Sequence, residues 1–187
     1  MFDLPLHPIV VHFPIALSLL IPIACIALYF SIKKGFATPR AWVIVVLLSA
    51  LYLGSSLVAV EMGERDEDKV EKVVGHDTLE EHEEIGEKIP WVAGALLIAS
   101  LLPLFTKNST SFQIINIIVA LLAILPIVKA GHTGGELVYK HGAARAHTGM
   151  LLPKADQSQG KYLSKESEED EGSEDSDESK EKTDNDD

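Results

Sequence analysis

Cysteine is almost missing from this chain: Cys25 is the only one among 187 residues, and it lies inside an apolar run. One thiol excludes a disulfide framework, and no Cys-x-x-Cys-His sequence exists for covalent haem attachment, so any haem would be held non-covalently. Aromatic residues are few, at 6%, and nowhere interleave with basic ones as a nucleic-acid surface requires. Nucleic acid is therefore not an expected partner. There is no HExxH pair, no glycine-rich phosphate loop and no Ser/His/Asp pattern on plausible elements. Chemistry other than redox or metal binding lacks residues to perform it. No basic stretch precedes the first apolar run and no small-residue cleavage site follows it at the right distance. That run is therefore expected to be a retained span with no soluble domain ahead of it.

What is present is segregated. Hydrophobic residues make up 47% of a chain whose net charge is -12, and the two features occupy different stretches. Residues 9–30 contain only His12, Ser18, Cys25 and Tyr29 as even weakly polar side chains, a run of the length that about 30 Å of hydrocarbon requires. Further apolar runs cover 42–60, 91–105 and 112–128. The last two are short for a bilayer and predict helices that continue into flanking sequence. Prolines at 14, 22, 103 and 126 fall inside these runs, which membrane helices tolerate because neighbours satisfy the freed carbonyls. The expected fold class is all-α: an integral membrane four-helix bundle over residues 1–150, followed over 151–187 by a disordered acidic tail. Ser, Glu, Asp and Lys dominate that tail from 161 onward, a composition that cannot bury a core.

The connections on one side of the bilayer, 31–41 and 106–111, carry Lys33, Lys34, Arg40 and Lys107 and no acidic residue. The opposite side holds the N-terminus, the tail and the 61–88 connection with twelve acidic and four basic residues. Short loops with unopposed basic residues favour the cytoplasm, which places both termini outside.

Four spans force all seven histidines onto that outer side. His7 and His12 open the first helix, His76 and His82 precede the third, and His132, His141 and His147 follow the fourth. His12 lies about one turn into an apolar helix, where an imidazole needs a partner. His82 falls in 78–89, which reads as a helix leading into the third span with Asp77 as its cap. His7 before Pro8, His76 before Asp77 and His147 have ordinary interfacial or turn readings. The stretch 130–142 is rich in small residues around His132, which permits close approach of a flat group or of another backbone. His132 and His141, nine residues apart, point to roughly opposite faces of a helix, so only one of them is expected to serve a given metal.

Haem iron accepts one or two axial imidazoles from helices packed around the macrocycle, and apolar walls suit that ring. A copper, zinc or nickel ion needs three or four converging ligands, which histidines together with Glu61, Asp77, Glu83 or Glu136 could supply. Spacing alone does not choose between them.

Two motifs, Leu6-His7-Pro8-Ile9-Val10-Val11-His12-Phe13-Pro14-Ile15-Ala16-Leu17 and Gly134-Gly135-Glu136-Leu137-Val138-Tyr139-Lys140-His141-Gly142, are joined by His82-Glu83-Glu84-Ile85-Gly86. Together they resemble the bacterial four-span membrane family catalogued as domain of unknown function 2231, over about residues 4–146. The resemblance implies a multi-pass protein of the bacterial inner (plasma) membrane, and the loop charges place its termini on the periplasmic or extracellular side. Some members of that family are joined to Rieske-type or c-type cytochrome domains, which implies a place in membrane electron transfer. It also singles out His7, His12, His82, Glu136 and His141.

The expected function is that of a b-type haem protein, with haem b held near the outer membrane face by residues drawn from His7, His12, His82 and His141. A quinone, a periplasmic cytochrome or a Rieske-type protein are the expected electron partners, the bilayer is the setting, and a homo-oligomer is compatible with the small residues on the spans. The alternatives are a non-redox copper, zinc or nickel site using the same histidines with Glu136, and a structural or assembly subunit whose histidines only satisfy hydrogen bonds.

Overall fold

A computed structural model describes residues 5–106 and 109–148. The tail expected to be disordered and Lys107 lie outside these. Among the described residues the chain is all-helical. Helix α1 is His7–Val10, α2 His12–Lys33, α3 Val43–Val74, α4 His76–Phe105, α5 Ser109–Leu122, α6 Ile124–Tyr139 and α7 Arg145–Thr148, with a 3-10 turn at Pro39–Trp42. Four stretches are long and apolar enough to cross a membrane: His7–Lys33, Pro39–Val74, His76–Phe105 and Ser109–Tyr139. The expected four-helix bundle is thus present. The third and fourth spans do extend well beyond their apolar runs.

Two of these spans are interrupted, and proline explains both breaks. Proline has no N–H to give the carbonyl four residues earlier and its ring crowds that carbonyl. Pro14 lies four residues after Val10, where α1 ends, and Pro126 lies four residues after Leu122, where α5 ends. Pro22, Pro90 and Pro103 stay inside continuous helices.

The 61–88 connection is not a loop. Helix α3 runs on to Val74 and α4 starts at His76, so the acidic segment is a helical hairpin with one joint residue, Gly75. Its polar sequence hides the helix because few apolar residues mark a period. Glu61 pairs with Arg65 at 2.9 Å and Glu84 with Lys88 at 3.3 Å, the four-residue spacing that supports an exposed helix. Gly75 has φ +84° and ψ 154° and caps α4, and Asp77 falls in the first turn without making a side-chain cap. A β-carbon disfavours that backbone geometry, which is why glycine closes the hairpin.

The bundle buries small and polar residues among a few large ones such as Trp42, Tyr52, Ile21 and Leu96, and leaves many large apolar side chains on its outer surface. The buried seam of α3 is Val45, Ser49, Tyr52, Ser56 and Ala59, and that of α4 continues through Ile89, Ala93, Leu96, Ser100 and Pro103. Both advance in alternating steps of four and three, the spacing that keeps one stripe facing a neighbour. Leu47, Leu51, Leu57 and Ile98 are exposed, as lipid-facing positions require. Within the bundle the buried Cys25 thiol donates to Asn116 Oδ1 at 3.2 Å and joins α2 to α5. Outside the apolar bundle a second small core of Leu79, Leu137 and Ala143, with Val70 and Val74 against it, holds the α3–α4 hairpin to the end of α6.

Candidate functional site: a pair of histidines at the hairpin end of the bundle

Two of the four candidate histidines meet. His7, the first residue of α1, and His82, in the second turn of α4, bring their imidazoles to a centroid separation of 6.2 Å with planes at 88°. They come from the first and the middle of the three sequence motifs, and each continues a buried seam. His7 lies seven residues before Pro14 on the seam of Pro14, Ser18, Ile21 and Cys25, and His82 precedes Ile85 and Ile89.

Hydrogen bonding fixes both rings in one tautomer. His7 Nδ1 lies 2.8 Å from the Ala59 carbonyl of α3, and a carbonyl only accepts, so this nitrogen carries the proton. His82 Nδ1 lies 2.8 Å from Thr133 Oγ1 of α6. The Thr133 hydroxyl donates to the carbonyls of Ala130 at 3.2 Å and Lys129 at 3.3 Å, so its oxygen receives the His82 Nδ1 proton. In each neutral ring Nε2 is left with a lone pair. A ring held by Nδ1–H on an acceptor, with Nε2 free, is the arrangement of a metal-ligating histidine.

Glycines make room for both rings. A β-carbon at Gly63 would stand 3.2 Å from His7 Nδ1, and one at Gly134 would stand 3.0 Å from His82 Cε1. The small-residue stretch after the fourth span thus admits an imidazole from α4 through Gly134. Thr133, Gly63 and Gly134 are the supporting residues that inspection of the sequence did not single out. Thr133 sits on the buried face of α6 with Ile127 and Leu137, a periodicity that could have found it; Gly63, on the extension read as loop, gave no such signal.

The other candidates lie elsewhere. His12 is exposed, and its Nδ1 reaches only the Ile9 carbonyl, one turn back, at 3.3 Å. His141 is exposed beyond the end of α6. Glu136 is bonded to Lys140 and lies 3.6 Å from His132 Nε2 on the same helix. His76 stands 3.3 Å from Glu71 at the hairpin tip, and the His147 side chain is outside the described residues. Glu61 pairs with Arg65. No group of three or more His, Cys, Asp or Glu converges as a metal site among the described residues.

The family model described as "Predicted membrane protein (DUF2231)" matches residues 3–147. No curated protein and no solved structure matches the chain.

Proposed function

The chain belongs to this family of predicted membrane proteins, and from that premise we propose that His7 and His82 are the axial ligands of a b-type haem through which electrons pass at the outer face of the membrane. The observation that carries the reading is the meeting of the two imidazoles, each with its Nδ1 on an oxygen acceptor. The imidazole centroids stand 6.2 Å apart, so His7 and His82 are the residues that would hold the iron. Haem brings four equatorial nitrogens of its own and asks the protein for only two, whereas a bare copper, zinc or nickel ion needs a third or fourth protein ligand. A two-histidine site therefore favours haem. Ligation by both rings leaves no open iron position and suits electron transfer rather than gas or substrate binding.

The orientation supports an outer location in the bacterial inner membrane. Lys33, Lys34 and Arg40 lie at the bundle end opposite the histidine pair, and basic connections mark the cytoplasmic side. A periplasmic cytochrome, a Rieske-type protein or a quinone would then be the exchange partner.

The test is the visible spectrum of the protein purified in mild detergent from haem-replete cells, air-oxidised and then dithionite-reduced. The reading predicts a Soret band and sharp reduced α and β bands. A flat spectrum overturns it. A second reading has its own observation: the imidazole bonds already tie α1 to α3 and α4 to α6, which is what a structural subunit needs. On that reading His7→Ala and His82→Ala lower the unfolding temperature and there is no absorbance to lose.

A further inference from the structure

The inner half of the bundle interior holds polar atoms that no described residue satisfies. Trp42 Nε1, Ser49 Oγ, Tyr52 Oη and Asn116 Nδ2 are each buried without a hydrogen-bond partner. Trp42, Ser49, Tyr52 and Asn116 are all 0% exposed.

Their placement is not scattered. Trp42, Ser49 and Tyr52 fall on one seam with Val45, in steps of three, four and three, and at a rise of about 1.5 Å per residue they span about 15 Å of the inner half of that helix. Asn116 is fixed at the same end of the bundle through its bond from Cys25, and Cys25 shares one core cluster with Trp42 and Tyr52. The hydrogens on offer outnumber the oxygens. Indole contributes one donor, the amide two and each hydroxyl one, while the Asn116 oxygen is already taken by the thiol. Bulk water cannot reach groups at this depth, and an unmet donor in hydrocarbon is strongly unfavourable.

We propose that this inner half binds ordered water along the seam, molecules that accept from Trp42 and Asn116 and exchange hydrogen bonds with Ser49 and Tyr52. Water is the smallest acceptor, and buried water characteristically makes about three hydrogen bonds to polar groups left otherwise unsatisfied. The site is separate from the histidine pair and stands whether or not that pair holds haem.

The test is hydroxyl-radical footprinting of the full chain in lipid nanodiscs, read residue by residue by mass spectrometry, at a dose where hydrogen exchange shows the bundle helices still closed. Radicals formed from bound water label the side chains beside it. Trp42 and Tyr52 are expected to be labelled in the folded protein despite complete burial. Tyr52→Phe, which occupies the same ring space, is expected to unfold at lower temperature because the water loses a partner. Absence of label at both residues overturns the proposal, whether the groups are bare or an organic molecule fills the space. So does a Tyr52→Phe variant that unfolds at an unchanged or higher temperature, since deleting a bare buried hydroxyl relieves an unfavourable burial.

Discussion

A histidine in a helix bundle becomes a ligand or a strut according to which ring nitrogen its neighbours leave open. At His82 that choice rests on Thr133, whose hydroxyl is itself anchored by the Ala130 and Lys129 carbonyls. Thr133→Val keeps the shape and removes the acceptor. Loss of such an outer partner typically costs about 10–100-fold in affinity for the bound metal, so Thr133→Val is expected to weaken haem retention by that order, measured by transfer to apomyoglobin. Gly134→Val places carbon atoms where the His82 ring stands, since even a β-carbon would be 3.0 Å from Cε1. It is expected to abolish the bound spectrum in a protein that still folds, whereas Gly94→Ala, with nothing within 4 Å of the added carbon, is expected to leave it unchanged. The site was half legible in the sequence. His7 and His82 were among the candidates, but depth along the first helix favoured His12, and depth does not report azimuth. His7 stands in step with Pro14, Ser18 and Ile21, while His12 points off that seam and is exposed. Seam membership is what brings His7, and not His12, beside His82.

At the scale of elements, the long helices rest on apolar length and the joints rest on glycine and proline. Apolar runs are unmistakable in a sequence, so all four spans could be found from it. The hairpin could not be bounded the same way, because from 61 to 88 the helix is written in Glu, Asp, Lys and Arg and its few buried residues, such as Leu79 and Ile85, are sparse. The expected helix over 78–89 is present within α4, whereas the extension of α3 from 61 to 74 gave no such signal. Gly75 turns α3 into α4 at φ +84°, a region that costs other residues about 1–3 kcal/mol. Gly75→Ala is therefore expected to destabilise the hairpin by about that amount, read as a lower unfolding midpoint in detergent. Because the hairpin backs His82 through the outer core, haem affinity should fall with it. An unchanged midpoint would mean that the joint is not held in this geometry.

For the whole molecule, charge and site polarise in one direction. Basic residues flank the connections at one end, the α3–α4 hairpin at the other end carries twelve acidic residues, and the histidine pair sits between the hairpin and the apolar bundle. Asp68→Cys is expected to react with a membrane-impermeant maleimide in intact spheroplasts, and Lys34→Cys only after lysis. Native Cys25, fully buried, should not contribute to the labelling. The reverse pattern would put the histidines in the cytoplasm and remove periplasmic carriers from consideration. The proposed function asks the bundle to hold two imidazoles from distant parts of the chain at one iron. That is tested most directly by reduced-minus-oxidised difference spectra of equal amounts of folded His7→Ala, His82→Ala, His12→Ala and His141→Ala proteins. The account predicts that the low-spin α band disappears in the first two variants alike and survives in the last two. An α band that persists in His7→Ala or His82→Ala, or that depends on His12 or His141, would contradict it.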